Sequence, residues 1–201
     1  MASFTVNEVN KFADEQFEWV FGNVIELCTD AASKVKEGRP FITVDQLCDA
    51  FIAYLNDLSE DEKVTVLKLH PDLAGRTAQS GELTRESAGE QRSAGLGDLS
   101  DEQLNTMRFL NARYKAKFGF PFVICARENK VPSIFEGLQR RINNTRDNEI
   151  IIAIGEQSIS LFNNSMWMAC NFTQFWSVED IFEANLQVTA SKDFSLQIRT
   201  R

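Results

Sequence analysis

The sequence predicts an all-α fold, a single-domain helical bundle of about seven to nine helices at the usual helix length of roughly 11–12 residues. Three observations carry that prediction. Helix-start patterns recur: Thr43-Val-Asp-Gln46, Ser59-Glu-Asp-Glu62 and Ser100-Asp-Glu-Gln103 each fit a capping box, in which two side chains satisfy orphan backbone N–H groups. After each cap, apolar residues repeat at helical spacing. Strand-like alternation is scarce, and the chain has neither an internal repeat nor a Pro- or Ser-rich linker. At 201 residues and 43% hydrophobic content, the chain can bury a sizeable core as one domain.

Taken in order, Leu47, Phe51 and Leu55 form the stripe of one helix. Val64, Leu67 and His70 lie on neighbouring turns of the next, which Pro71 ends, so His70 is placed on its last turn. The small, polar run GRTAQSGEL (75–83) reads as the longest loop. Within Glu86–Gly97, Ser87-x-x-Glu90 is a further candidate capping box. Leu104, Met107, Leu110, Asn111 and Tyr114 mark another helix, which Gly119 and Pro121 break. Phe120, Phe122, Val123 and Ile124 then form an apolar wall whose amides are not all committed to helix bonds. Ile150–Ile154 is β-branched enough to pass for a strand. Residues 147–162 nevertheless hold no proline and one glycine, which favours a long buried helix. From Ser165 onward aromatic and polar residues mix without a period. A docked helix around 178–186, behind a weaker cap at Ser177-Val-Glu-Asp180, and a frayed end are expected there.

The net charge of −8 excludes a general nucleic-acid binder, which needs a basic face. A small anionic substrate remains compatible, because a pocket sets its own local field. Cys28, Cys48, Cys125 and Cys170 show no CxxC spacing and read as reduced core thiols. With one histidine and scattered thiols there is no ligand set, so no metal is expected. No apolar run approaches the roughly 20 residues of a membrane span. The N-terminal MASFTVNEVNKF has no signal-peptide core, and the ending Ile-Arg-Thr-Arg is no peroxisomal address.

Three groups of residues can carry chemistry. His70, the sole histidine, is either a ring completing the core or a proton carrier near neutral pH. Ser87, Glu90 and Gln91 fall within about one helical turn, so their polar tips converge on one side. The small residues at 87–89 and 93–95 allow two backbones, or a backbone and a ligand, to approach closely. The same stretch also reads as an ordinary capped surface helix. Residues 120–126 are a plain core crossing or a pocket lining that offers main-chain N–H groups to an oxygen. The residues alone leave each alternative open.

HPDLAGR (70–76), ESAGEQRSAGL (86–96) and LNARYKAKFGFPFVICAR (110–127), in this order, closely resemble the 2-oxo-4-hydroxy-4-carboxy-5-ureidoimidazoline (OHCU) decarboxylase family. GRPF (38–41), LCDAFIAYL (47–55) and RINNTRDNE (141–149) extend the likeness from about residue 10 to residue 155. The resemblance implies an all-helical, usually homodimeric, cofactor-free lyase of urate breakdown that converts OHCU to (S)-allantoin and carbon dioxide. It places catalysis on His70 and Glu90, with His70 as proton carrier. Substrate contacts fall on Pro71, Ser87, Ala88, Gly89, Glu90 and Gln91, and on Phe122, Val123, Ile124, Cys125 and Ala126. The implied partner is a small anionic ureidoimidazoline, with no cofactor, metal, nucleic acid or membrane, and the implied location is cytoplasmic or peroxisomal. The likeness divides the chain into a helical domain, 1–164, and a divergent tail, 165–201. One departure stands out: Asn163-Asn164 occupy the place where the family carries an arginine for the anionic substrate. Neutral amides supply neither its charge nor its bidentate fork. Arg199, Arg201 or a partner subunit could supply a replacement. The alternative is a catalytically weakened or inactive member that serves as a binding or scaffold protein.

Overall fold

A computed structural model describes residues 4–75, 78, 80–126 and 128–171, the side chains of 85, 86 and 162–171 excepted. Among these residues lie nine α-helices and no strand. They are α1 (Val6–Val9), α2 (Asp14–Phe21), α3 (Thr29–Val35), α4 (Val44–Asp57), α5 (Glu60–Leu67), α6 (Arg85–Ser93), α7 (Asp101–Phe118), α8 (Val131–Arg141) and α9 (Arg146–Asn171). Single 3-10 turns stand at Lys36–Gly38 and Leu96–Asp98. The helix expected around 178–186, its cap at Ser177 and the frayed end lie outside the described residues.

The starts of the helices follow local chemistry closely. Ser59 and Ser100 form complete capping boxes with Glu62 and Gln103. Thr43 accepts from the Gln46 N–H at 3.2 Å, but Gln46 Oε1 instead takes the Ile42 N–H, so the box there is only half made. The cap of α6 is Thr84 rather than Ser87. Its hydroxyl accepts from the Ser87 N–H, which lies three residues into the helix, where orphan donors need a partner.

Helix α9 is the hub of the fold, packing on α4, α5 and α7, while α4 also packs on α3. The core face of α4 is the predicted stripe, with Leu47, Phe51 and Leu55 all buried. Fully burying each such side chain contributes about 1.5–3 kcal/mol. On α9, Ile150, Ala153, Ile154 and Leu161 form the buried stripe, at helical spacing. The helix is not buried all round, as the sequence reading had it. Ile151 is 70% exposed and Ile159 43%, because they lie off the buried stripe. Cys28, Cys48 and Cys125 are buried.

A second packing centre holds the irregular stretch after α7. Gly119 takes φ +83° as the C-cap, a left-handed conformation that suits glycine. The chain then brings the Phe122 ring edge-on to Tyr114, with centroids 5.2 Å apart. The Arg141 guanidinium lies over the Phe122 ring, 4.5 Å from its centroid, and its Nη1 donates to Val123 O at 2.9 Å. Buried Glu149 collects Arg141 Nε at 2.7 Å, Asn144 Nδ2 at 2.6 Å and the Tyr114 hydroxyl. Burial, then the bond to Glu149, pushes the Tyr114 phenol well above its ordinary range.

Candidate active site

His70 stands just beyond α5, not on its last turn. The helix ends at Leu67, and tighter bonds from Leu69 N to Val66 O (3.0 Å) and His70 N to Leu67 O (3.4 Å) carry the chain out of it. Pro71 disfavours helical backbone at the residue before it, which accounts for the earlier exit. The half-buried ring places Nε2 2.6 Å from Gln157 Oε1 on α9, and Nδ1 3.4 Å from Val66 O.

The turn that follows, Pro71–Gly75, is held from three sides. Gln91 Oε1 accepts from the Ala74 N–H at 3.0 Å, Asn111 Nδ2 donates to Leu73 O at 2.9 Å, and Lys115 pairs with Asp72 at 2.9 Å. Ala74 has φ +48°, a conformation that costs a non-glycine residue about 1–2 kcal/mol and persists only where the surroundings hold it. At Gly75 a Cβ would come within 2.9 Å of the Asp72 carbonyl, so the tight turn requires glycine there.

On α6 the polar tips of Ser87, Glu90 and Gln91 do not converge on one protein partner. Ser87 Oγ donates to buried Glu26 at 2.8 Å, alongside Thr84 at 3.0 Å. Glu90 Oε1 accepts from Ser160 Oγ on α9 at 3.3 Å. Gln91 reaches the His70 turn instead. Neighbours three and four residues apart share a helix face, yet their side chains are long enough to diverge toward different elements. Ala88 and Gly89 are half-buried, and a Cβ at Gly89 would meet nothing within 4 Å. Close backbone packing therefore does not explain the small residue at 89.

The 122–126 segment is attached to the same stretch of α9. The Cys125 N–H donates to Glu156 Oε2 at 3.0 Å, and Asn129 Nδ2 donates to Cys125 O at 2.9 Å. Phe122, Val123, Cys125 and Ala126 are buried, and Ile124 is half-buried. Ile124 opens onto a polar cavity of about 200 Å³ shared with Asn129, Ser133, Arg140, Arg141 and Glu156. Helix α9 thus receives His70 at Gln157, Glu90 at Ser160 and the Cys125 amide at Glu156.

Sequence reasoning missed these three α9 residues and Glu26. For Gln157 and Ser160 a signal existed. Both fall on the core-facing side of α9 among Ile150, Ala153, Ile154 and Leu161, and they are only 6% and 9% exposed. A polar residue in an apolar stripe is the informative exception to the pattern. The side chains of Asn163 and Asn164, and Arg199 and Arg201, lie outside the described residues. Among the described residues there is no cluster of three or more potential metal ligands, and no helix long and apolar enough to cross a membrane.

Comparison with known proteins bears on the same region. Residues 10–159 match the sequence model of one family, described as OHCU decarboxylase. The 2-oxo-4-hydroxy-4-carboxy-5-ureidoimidazoline decarboxylase of Xenopus laevis is 40% identical over 151 residues, covering 75% of this chain and 86% of that protein. The enzyme of the same name from Mus musculus is 38% identical over 149 residues, covering 74% and 84%. A crystal structure of an OHCU decarboxylase in the presence of (S)-allantoin superposes with a TM-score of 0.59 at 22% identity, over 81% of this chain and 100% of the other. A crystal structure of (S)-allantoin synthase superposes at 0.64 and 21% identity, over 82% and 54%. At these identities the two structures speak for the fold.

Proposed function

The chain belongs to the OHCU decarboxylase family, and on that premise we propose that it converts OHCU to (S)-allantoin and carbon dioxide in urate degradation, as a carbon–carbon lyase with His70 as proton carrier. The observation that carries the proposal is the mounting of His70. The only histidine of the chain stands immediately before a strained turn held by Gln91, Asn111 and Lys115, with its ring on the helix that also meets Glu90 and the Cys125 amide.

The reaction asks little covalent chemistry of the protein. The bond from the ring carbon to the carboxylate breaks, and its electron pair passes into the conjugated imidazoline. The departing group leaves as neutral carbon dioxide, and one proton arrives at one face of carbon. A protein accelerates such a step by orientation, by polar groups fixed around the developing enolate-like charge, and by a placed acid. His70 gives the proton, and solvent restores it. Glu90, on the adjoining face of α6, orients the substrate and shares in the proton traffic. Pro71, Ser87, Ala88, Gly89, Gln91 and the Phe122–Ala126 segment supply the walls and polar contacts. The open space beside Gly89 supports that assignment, since substrate rather than protein can fill it. Loss of charge from the carboxylate is favoured beside the apolar Phe122–Ile124 wall.

The homodimer belongs to the same proposal. Ile42, Phe109 and Ile151 are large apolar side chains left 81%, 61% and 70% exposed on the single chain, and each is a candidate for cover by a second copy. The proposal is tested by following consumption of freshly generated OHCU, and release of carbon dioxide, with the native protein and with His70→Asn. The native chain accelerates both and the variant does not. Equal rates for the two would overturn the assignment of His70.

A further inference from the structure

Gln157 is a buried amide in an apolar stripe. A neutral polar group taken from water without a partner is destabilising, whereas an aliphatic side chain would pack there at no such cost. The residue therefore needs a partner, and the fold supplies one: Oε1 lies 2.6 Å from His70 Nε2, across 87 residues of chain. An amide oxygen only accepts, so at that distance Nε2 must carry the proton. The other ring nitrogen lies 3.4 Å from the Val66 carbonyl, beyond the ordinary 2.7–3.2 Å range. Of the two contacts, the one to Gln157 sets where the ring and its Nε2 proton point.

We propose that Gln157 is a positioning residue for the decarboxylation: by accepting the His70 Nε2–H it fixes the plane and the tautomer of the ring that carries the proton. The inference rests on the assignment of His70 as proton carrier. With Nε2–H held at Gln157, the proton that passes to carbon is one taken up from solvent at Nδ1, which lies only loosely against Val66 O at 3.4 Å. Its transfer returns the ring to the neutral Nε2–H form, so Gln157 accepts the same Nε2–H before and after the step, and solvent recharges Nδ1 for the next turnover. Ser160, about one turn further along α9, donates from its Oγ to Glu90 Oε1 at 3.3 Å. The helix thereby mounts both candidate acid–base groups at a fixed relative position.

Because the chain holds a single histidine, the test can be read without assignment. The full chain is labelled with ¹⁵N-histidine and its ring signals are recorded for the native protein, Gln157→Met and Gln157→Glu, alongside turnover of freshly generated OHCU. Native protein should show a slowly exchanging, hydrogen-bonded Nε2–H. Gln157→Met should lose it, with kcat lowered about tenfold or more and KM little changed, still short of the roughly 10²–10⁴ expected for losing the acid itself. Gln157→Glu retains an acceptor and should recover the Nε2–H signal. Circular dichroism verifies the helical fold of each variant, and Gln157→Glu serves where Gln157→Met does not fold. An Nε2–H that exchanges equally fast in native protein and Gln157→Met, or an unchanged kcat in Gln157→Met, would overturn the inference while leaving the decarboxylase reading intact. Absence of turnover in the native chain would instead strike that reading, and the ring signals would still decide the contact.

Discussion

Replacing Gln91 with leucine separates a turn-holding role from a substrate-binding one. The two side chains are similar in size, so the buried position stays filled while the acceptor for the Ala74 N–H disappears. That donor belongs to a residue 5% exposed, so water cannot readily take over. A buried donor left without a partner costs about 1–3 kcal/mol. For a chain of this size each kcal/mol corresponds to about 2–4 °C, so the melting temperature should fall by roughly 2–12 °C. The left-handed Ala74, at φ +48°, gives no compensation, because relaxing it would break the Asn111 and Lys115 contacts on the same turn. Thermal unfolding followed by circular dichroism measures the effect, with Gln91→Glu, which keeps an acceptor, as the comparison. A Gln91→Leu protein that melts with the native one would refute the turn-holding role. A loss confined to KM would then return Gln91 to pure substrate binding.

Three further outcomes follow from the charge network. Arg141→Met leaves the Glu149 carboxylate buried without its cation, and urea unfolding should show a loss of about 3–5 kcal/mol. Tyr114 and Tyr54 have phenols raised above their ordinary value near 10, both chiefly by burial. A raised folded-state value means stability complete below about pH 10 and lost as pH climbs past it, which melting curves across the alkaline range will show. Asp14, Glu18, Glu62 and Glu8 are held below the usual carboxylate range, the first two mainly by Lys36 and the others by the Ser59 and Thr5 caps. Their contribution is present above about pH 4.5 and disappears as pH falls, so acid unfolding should begin below that point.

Much of the fold was legible because the helices are specified locally. Ser59 and Ser100 announce their boxes within four residues, and the stripe Leu47, Phe51, Leu55 lies inside one helix. The end of α5 was less legible, since the exit at Leu67 depends on 3-10 bonds that spacing alone does not reveal. The exposed face of α9 was misread because Ile151 and Ile159 are as apolar as Ile150 and Ile154, and only the packing of α4, α5 and α7 decides which face is covered. At the site, His70, Glu90 and Gln91 stood out by residue type and motif. Their partners did not. Gln157, Ser160 and Glu26 lie between 58 and 87 residues from the groups they meet, and contacts of that range leave no local pattern. The one trace was a polar residue on an apolar stripe.

The handedness of the product tests the catalytic role of His70 most directly. Freshly generated OHCU decays on its own without preference for either face, so a protein that delivers one proton from one side must leave its mark on the allantoin. Circular dichroism of the product solution should show (S)-allantoin accumulating faster than spontaneous decay with the native chain, and optically inactive allantoin at the spontaneous rate with His70→Asn. Racemic product at the spontaneous rate from the native chain, or the same (S) excess from His70→Asn, would contradict it.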